Sequence, residues 1–357
     1  MAATDDMALE DEVDAYILEL LGGAPVAPCE LHRPPGGEGP GESSAPPPDP
    51  PASAAEGNSS YERKFRDVHQ LYPPASPGLG SEETGTFTVT LGDAAEAHAG
   101  MEIIRAPQSE QALRSDAVAG FTEAELALAA LKFRQAGCEA EVIDIPFPPG
   151  CALPGEADWL ARVDQRPCVL VARGAAALFA TPGGDRGLQK LALQLKGIPY
   201  DTKAKMRGSV KNKLARHCVC VGDEASEPNY EEGRGRIVTF DGPAPRLSAI
   251  REKLPAFFGP KAEGLVAEIN HYYNASKCGI GYHGDGERQL VIGVRVGRPM
   301  PLCFWWHRGA ARLGERTRID LYSGDLYAMS AKAVGRDWRK SVFPTVRHAA
   351  GAAKYID

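Results

Sequence analysis

The sequence predicts an α+β protein in which a strand-rich C-terminal domain follows a smaller α/β module. Short runs of alternating apolar residues, separated by glycines, fill the chain from residue 269 onward, a pattern typical of an antiparallel barrel or sandwich. Before them, segments of helical and of strand periodicity alternate. The 357 residues, of which 43% are hydrophobic, are enough to bury a sizeable core.

Residues 1–83 are predicted to be a disordered arm. From about Pro25 to Gly80 the chain consists mainly of Pro, Gly, Ser and Ala, which offer too little apolar surface to offset the entropy lost on folding. A short acidic amphipathic helix is predicted ahead of this segment, and its apolar side chains are Leu9, Val13, Tyr16, Ile17, Leu20 and Leu21. This helix either docks on a partner protein or folds back on its own domain.

Residues 84–175 are predicted to form the α/β module. Residues 86–91 alternate as a strand, and TEAELALAALKFRQAG is predicted to be a helix that begins after Thr122 and ends at Gly137. Two more strands are predicted, in AEVIDIPF and in RPCVLVARGAAALFA. These residues indicate no particular chemistry.

Residues 176–357 are predicted to form the C-terminal domain. Helices are predicted in DRGLQKLALQLKG and RLSAIREKLPAFFG, and a helix or helix start in PKAEGLVAEIN. Strands are predicted in RHCVCVGD, RIVTF, EINHYYN, ERQLVIGVRVG, MPLCFWWH, TRIDLYSGDLYAMS and SVFPTVRHAAG. Trp305 and Trp306 continue an apolar strand, so packing is favoured over a stacking role for them.

The charge distribution leaves room for a polyanionic partner. The net charge of −7 argues against bulk polyanion binding, but residues 186–216 contain nine basic residues and one acid, Asp201. The nine are Arg186, Lys190, Lys196, Lys203, Lys205, Arg207, Lys211, Lys213 and Arg216. Such a stretch either follows a phosphate backbone or is a solvated helix face and loop.

The sequence favours an intracellular protein, in the nucleus or the cytoplasm. No segment approaches the roughly 20 consecutive apolar residues that a membrane span needs, and the N-terminus is acidic, unlike a secretory signal. The eight cysteines lie far apart, the nearest pair being Cys218 and Cys220, so free thiols are expected and not a disulfide framework.

The stretch CGIGYHGDGERQLVIG is the strongest candidate for a metal site. Extended chain sends alternate side chains to one face, so His283 and Asp285 can reach the same ion. Two histidines and one carboxylate bind non-haem Fe(II) and leave positions open for other ligands. His348, near the C-terminus, is the candidate third ligand; His307 is its rival, although a packing role is favoured for His307.

Several motifs occur in order between residues 207 and 351. RGSVKNKLARHCVCVGD is a basic stretch that ends in a Gly-Asp turn, EINHYYN contains Asn-x-Tyr, HGDGER contains His-x-Asp-x-Glu-Arg, and YSGDLYAMS joins a Gly-Asp turn to a Met-Ser strand. In this order they resemble the AlkB-like branch of the Fe(II)- and 2-oxoglutarate-dependent dioxygenases. The resemblance implies a double-stranded β-helix, or jelly-roll, with flanking helices, and Fe(II) and 2-oxoglutarate as cofactors.

The resemblance also implies roles for individual residues. His283, Asp285 and His348 would bind Fe(II), and Asn270 and Tyr272 would orient 2-oxoglutarate. The implied substrate is a methylated base in DNA or RNA, single-stranded or flipped, which is demethylated or hydroxylated. Phosphate contacts are expected from Lys203, Lys205, Arg207, Lys211, Lys213 and Arg216.

Glu287 would meet the exocyclic amine of the base, as its counterpart in the family does. The alternative is that Glu287 only pairs with Arg288.

The C-terminus departs from the family pattern. In the family the distal histidine follows the Met-Ser strand closely, and a last strand supplies an arginine for the distal carboxylate of 2-oxoglutarate. Here Lys354 is the only cation after His348, so Lys354 is the predicted partner of that carboxylate. In an alternative alignment Arg347 holds the co-substrate and Asp337, or no residue, is the distal ligand, which would weaken or abolish oxygenase chemistry.

Two other functions stay open at this point. One is an oxygenase that acts on a protein side chain or a small molecule, with the N-terminal arm recruiting a partner. The other is a binding module without metal. Salt-sensitive binding of single-stranded nucleic acid favours the base oxygenase, turnover of 2-oxoglutarate without such binding favours the first alternative, and failure to bind iron favours the second.

Overall fold

The computed structural model of the protein describes residues 85–100, 102–107, 120–154, 156, 166–179, 185–340 and 343–357. The predicted arm and its acidic helix, residues 1–83, lie outside these ranges. Over the described ranges the fold is mixed α/β and dominated by strands, as the sequence predicts. None of the helices in this part of the chain is long and apolar enough to cross a membrane.

The elements alternate irregularly along the chain. The strands are β1 (Thr86–Gly92), β2 (Ala94–Glu96), β3 (Ile103–Arg105), β4 (Ala140–Asp144), β5 (Cys168–Ala172), β6 (Lys203–Met206), β7 (Ser209–Asn212), β8 (His217–Gly222), β9 (Ile237–Thr239), β10 (Val266–Tyr272), β11 (Gly279–His283), β12 (Ile292–Gly297), β13 (Met300–Arg308), β14 (Ala311–Leu321), β15 (Leu326–Met329) and β16 (Thr345–Gly351). The helices are α1 (Glu123–Gln135), α2 (Ala176–Phe179), α3 (Asp185–Gly197), α4 (Pro245–Phe258), α5 (Ala331–Val334) and α6 (Ala353–Ile356), and a 3₁₀ turn covers Pro260–Ala262.

Eight strands form the major sheet, in the order β4-β5-β15-β12-β1-β10-β8-β9. Strand β1 lies near its centre, where Thr88 is opposite Asn270 of β10 on one side and Arg295 of β12 on the other. Strands β4 and β5 extend the same sheet through β15. The major sheet therefore joins strands from both sides of residue 175, where the sequence predicts a domain boundary.

Four strands form the minor sheet, in the order β11-β16-β13-β14, with all neighbours antiparallel. Two hairpins, β2-β3 and β6-β7, stand apart from both sheets. The second hairpin is formed by part of the basic stretch of residues 186–216.

The major sheet packs differently on its two faces because successive side chains of a strand point to opposite sides. On one face, Phe87, Val89 and Leu91 of β1 share a core with residues of α1, α3 and α4. On the other face, apolar residues of both sheets, such as Tyr327 and Phe304, form a second core. The molecule thus has a helical layer, the major sheet and the minor sheet, and the polar residues of interest lie between the two sheets.

Most predicted elements are confirmed, and α1 shows why. Thr122 accepts from the Glu125 backbone N–H at 3.2 Å, and the Glu125 carboxylate accepts from the Thr122 N–H at 2.8 Å. This reciprocal capping box satisfies two N–H groups that a helix start leaves unpaired. Gly137 follows the helix with a φ of 85°, as expected for a glycine that ends one.

Candidate metal centre

Three side chains that can bind a metal converge between the two sheets. The ligand atoms of His283, Asp285 and His348 all lie within 4.8 Å of one another. The Nε2 atoms of His283 and His348 are 3.5 Å and 3.4 Å from Oδ1 of Asp285. The centroids of the two imidazole rings are 4.5 Å apart. The structure therefore brings together the three residues that the sequence predicts as ligands.

Strand pairing in the minor sheet creates this arrangement. His283 at the end of β11 lies opposite His348 of β16, so both rings project from neighbouring strands. Asp285 follows two residues later, and its backbone N–H donates to the Val334 carbonyl at 3.0 Å. Gly284 fits between them because a Cβ there would collide with the backbone carbonyl of Gly335. The glycine of the His-Gly-Asp sequence is thus a packing requirement.

Neighbouring groups orient two of the ligands. The Nδ1 atom of His283 is 2.8 Å from the Gly281 carbonyl, which fixes the proton on Nδ1 and leaves the Nε2 lone pair facing the other ligands. Oδ2 of Asp285 is 3.4 Å from Nε of Arg288, so Oδ1 is the oxygen directed at the histidines.

The electrostatic environment favours metal-binding protonation states. Burial, together with the nearby His348, lowers the pKa of His283. Burial alone would raise the pKa of Asp285, but the Arg288 guanidinium and the contacts with both histidines hold it well below its ordinary value. A neutral imidazole and an ionised carboxylate are the forms that bind a cation.

The donor set fits a divalent non-haem iron centre. Two imidazole nitrogens and one carboxylate oxygen suit Fe(II) and leave positions free for other ligands. Ligands about 2.1 Å from an octahedral ion lie about 3 Å from their neighbours, and the two Nε2–Oδ1 distances, 3.5 and 3.4 Å, are close to that spacing. Small side-chain movements would therefore complete a facial arrangement.

The centre opens into a cavity of about 400 Å³, which extends between the two sheets. This volume lies within the usual range for small-molecule sites. The residues from the major sheet that line it include Thr88, Thr90, Glu268, Asn270, Tyr272, Arg295 and Tyr327, and the hairpin β2-β3 with its loop adds Glu96, His98, Ile103 and Arg105.

Arg295 is the most unusual group in this cavity. Its side chain is fully buried, and Nη1 donates to Oγ1 of Thr88 at 2.6 Å and lies 3.4 Å from the sulfur of Met300. Nε and Nη2 are buried without any hydrogen-bond partner among the described residues. These two N–H groups share one edge of the guanidinium and match the two oxygens of a carboxylate. Unpaired buried donors are costly, so this edge fits an anionic ligand.

Comparison with known proteins gives one informative relative. Over 271 residues the chain is 36% identical to an uncharacterized protein of Acanthamoeba polyphaga mimivirus, and the alignment covers 76% of this chain and 97% of the viral protein. The chain belongs to the family of that viral protein. No protein-family model matches it.

Three other residues that the sequence predicts for the site, Asn270, Tyr272 and Glu287, also line the cavity. Asn270 does so, but its amide is engaged, since Oδ1 accepts from Nε of Arg216 at 2.6 Å and Nδ2 donates to Glu268 at 2.7 Å. Tyr272 is buried in the cavity wall, and this burial raises its pKa to about 12, so its hydroxyl keeps its proton. Glu287 lies at the cavity edge and pairs with Arg288 at 2.7 Å.

The two cations predicted to hold 2-oxoglutarate do not reach the cavity. Arg347 donates from Nη2 to the carbonyls of Gly309 and Trp338, at 2.5 and 3.1 Å. Lys354 lies on α6, where its exposed ammonium is 4.9 Å from the centre of the Tyr355 ring. Neither residue lines the cavity. Arg347 and His348 are consecutive in β16, so their side chains point to opposite faces of the minor sheet. Lys354 belongs to α6, which packs on the outer face of that sheet.

The rival ligands also lie elsewhere. Nδ1 of His307 is 3.1 Å from the Trp305 carbonyl, and its ring packs against Tyr282 on the outer face of the minor sheet. Asp337 forms an ion pair with Lys332 at 2.6 Å. Neither side chain contributes to the cavity wall.

The predicted phosphate contacts lie on the hairpin β6-β7 and the segment after it. Arg207 and Gly208 form its two-residue turn with φ angles of 51° and 81°, the conformation of a tight hairpin turn. The hairpin lies next to the loop of the hairpin β2-β3, since the Lys205 N–H donates at 2.6 Å to the carbonyl of Ala99, the neighbour of the lining residue His98. The side chains of Lys203, Lys205, Arg207 and Lys211 are exposed, Lys213 is half-buried, and Arg216 lines the cavity itself.

Sequence reasoning missed the buried charges around the centre. Arg295 stands alone in the apolar strand sequence VIGVRVG, and a single arginine in such a run is a signal for a buried, ligand-directed cation. Glu268, His98 and Glu96 come from β10 and the hairpin β2-β3, and nothing in their local sequence indicates that they meet.

Proposed function

We propose that the protein is an Fe(II)- and 2-oxoglutarate-dependent dioxygenase of the AlkB-like type, acting on a methylated base in DNA or RNA. One observation carries this proposal: a two-histidine, one-carboxylate cluster and a buried arginine with a free bidentate edge share one cavity. The facing major and minor sheets support a double-stranded β-helix as the fold behind it.

Fe(II) would be held by His283, Asp285 and His348. When bound with 2-oxoglutarate and oxygen, this metal supplies the oxidation of a substrate carbon, coupled to conversion of 2-oxoglutarate to succinate and carbon dioxide. The chain positions the reactants and excludes water. The buried wall of Tyr272 and Tyr327 limits solvent access to the inner end of the cavity.

Arg295, and not Lys354 or Arg347, is the proposed partner of the distal carboxylate of 2-oxoglutarate. The Nε–Nη2 edge would bind the distal carboxylate of 2-oxoglutarate, and the hydroxyl of Tyr272 is a candidate additional donor on the same wall. The bonds from Arg295 to Thr88 and Met300 hold the guanidinium in place before the ligand arrives. Arg295 lines the same cavity as His283, Asp285 and His348, so a single dicarboxylate would have both ends of its site within one cavity.

The groups proposed to contact the nucleic-acid substrate are charged. Glu287 lies at the cavity edge, where its carboxylate can accept from an exocyclic amine of a base. The exposed lysines of the hairpin β6-β7, which is bonded to Ala99 beside the lining residue His98, provide positive charge for a phosphate backbone. Single-stranded or flipped-base nucleic acid is therefore the proposed substrate class.

The test is turnover with defined oligonucleotides. Protein with Fe(II), ascorbate and 2-oxoglutarate is incubated with methylated single-stranded DNA and RNA, and succinate and formaldehyde are measured, with His348→Ala as the matched inactive variant. We expect both products from wild type alone, because an oxidised N-methyl group is released as formaldehyde. Succinate without any change in the oligonucleotides would exclude the base as substrate, and absence of both products would refute the dioxygenase.

A further inference from the structure

Arg288 is buried at the meeting point of three carboxylates. Its side chain is 3% exposed, and Nη2 lies 2.5 Å from Oε2 of Glu268 and 2.7 Å from Oε1 of Glu287. Nε donates to the same oxygen of Glu287 at 2.9 Å and is 3.4 Å from Oδ2 of Asp285. One guanidinium thus connects the metal ligand Asp285 with two acids that are not ligands.

These contacts determine which oxygen of Asp285 the metal would meet. A carboxylate has two oxygens, and the one nearest Arg288 is Oδ2, while Oδ1 lies 3.4 to 3.5 Å from both histidine Nε2 atoms. Arg288 makes its shortest contacts with the other two acids, so it only partly compensates the charge of Asp285. The ligand is therefore oriented but keeps negative charge for a cation.

Glu268, on strand β10 of the major sheet, holds Arg288 in place. It is 2% exposed, and its oxygens also accept from Nδ2 of Asn270 at 2.7 Å and contact Nε2 of His98 at 3.0 Å. His98 belongs to the loop of the hairpin β2-β3, which forms part of the cavity wall. Arg288 makes the contact with Oε2 of Glu268, so Arg288 cannot turn away without breaking a buried, charge-assisted contact.

We propose that Arg288 is a positioning residue for the metal ligand Asp285 and that Glu268 holds it in place, an inference that rests on the proposed metal centre. Arg288 is not itself a ligand, since its guanidinium stays protonated. Its role is to fix the carboxylate rotamer, and partners of this kind are typically responsible for about 10- to 100-fold in metal affinity.

The experiment measures Co(II) binding to the full chain without substrate or co-substrate. The main variant is Arg288→Gln with Glu268→Gln, which removes the buried Arg288–Glu268 ion pair as a unit and leaves the carboxylate of Asp285 without its guanidinium partner. The matched control is Arg308→Gln with Glu156→Gln, since Arg308 and Glu156 form a similar ion pair at 2.6 Å that does not line the cavity. Co(II) affinity, the visible d–d spectrum and the Tm of the metal-free protein are recorded.

We expect the main variant to lose about 10- to 100-fold in Co(II) affinity, with an altered d–d spectrum, while the control pair keeps wild-type affinity and spectrum. Arg288→Lys is the second variant in case the first does not fold: it keeps the positive charge but loses the planar fork, and about a tenfold loss is expected. Wild-type affinity in either folded variant, or an equal loss in the control pair, would overturn the positioning role. Failure of wild type itself to bind Co(II) would remove the proposed metal centre and overturn both proposals together.

Discussion

Replacement of Arg295 by methionine tests the assignment of the co-substrate end of the cavity. The change removes the buried Nε–Nη2 edge and keeps an apolar side chain of adequate length. Hydrogen bonds to charged groups contribute about 1.5–3 kcal/mol each, so two of them amount to about 3–6 kcal/mol. Since each 1.4 kcal/mol is tenfold in Kd, we expect Arg295→Met to weaken 2-oxoglutarate binding by about 100-fold or more.

In the ligand-free protein, the same substitution should not lower the stability of the fold. Two buried donors without partners cost about 1–3 kcal/mol each, so their removal is expected to leave the Tm unchanged or to raise it. Binding is measured by calorimetry on Mn(II)-loaded protein, which does not turn over, and stability by thermal unfolding without ligand.

Arg308→Met is the control, because Arg308 uses its nitrogens on Glu156 and the Cys151 carbonyl outside the cavity. The control should lose stability and keep its affinity for 2-oxoglutarate. An Arg295→Met protein that binds 2-oxoglutarate within about threefold of wild type would show that Arg295 does not bind the distal carboxylate.

Three further substitutions have expected outcomes. Gly284→Ala should lower the Tm and weaken Co(II) binding, because the added Cβ would collide with the backbone of Gly335 at a cost of about 1–3 kcal/mol. Gly286→Ala is the control, because a Cβ there meets nothing within 4 Å. Equal Tm and Co(II) affinity in the two variants would contradict a packing role for Gly284. Lys211→Ala should reduce the salt dependence of single-stranded DNA binding by about 0.7 in log–log slope, whereas Lys190→Ala on α3 should not, and an unchanged slope for Lys211→Ala would remove that residue from the phosphate contacts. Thr122→Ala should destabilise the protein by about 1 kcal/mol in denaturant unfolding, because the capping hydrogen bonds of α1 are lost; no change in the free energy of unfolding would show that the cap contributes nothing.

Local sequence patterns predict most elements correctly, and they single out the three side chains that the structure brings together in the candidate metal centre. Alternation of apolar residues identifies strands such as β1 and β13, and Thr122 identifies the start of α1. His283 and Asp285 could be paired because side chains two residues apart in extended chain share a face. His348 was found only through its place in a late strand, and its alignment opposite His283 is a property of the folded minor sheet.

Long-range pairing is what the sequence does not show. Strand β1 inserts between β10 and β12, nearly 200 residues away, so Thr88 meets Asn270 and Arg295 across the sheet. No local pattern specifies such partners, so the sequence predicts the segment before residue 175 as a module of its own. The resemblance directs the search for a carboxylate-binding cation to the residues after His348, whereas the buried arginine that lines the cavity belongs to β12.

The most direct test of the metal centre is an anaerobic Fe(II) titration in the presence of 2-oxoglutarate, followed by the metal-to-ligand charge-transfer absorption in the visible. Wild type, His348→Ala and His307→Ala are compared, because His307 lies on the outer face of the same sheet and serves as a matched histidine control. We expect the band in wild type and in His307→Ala, and its loss in His348→Ala. A folded wild type without the band, or a His348→Ala protein that keeps it, would contradict the proposed metal centre.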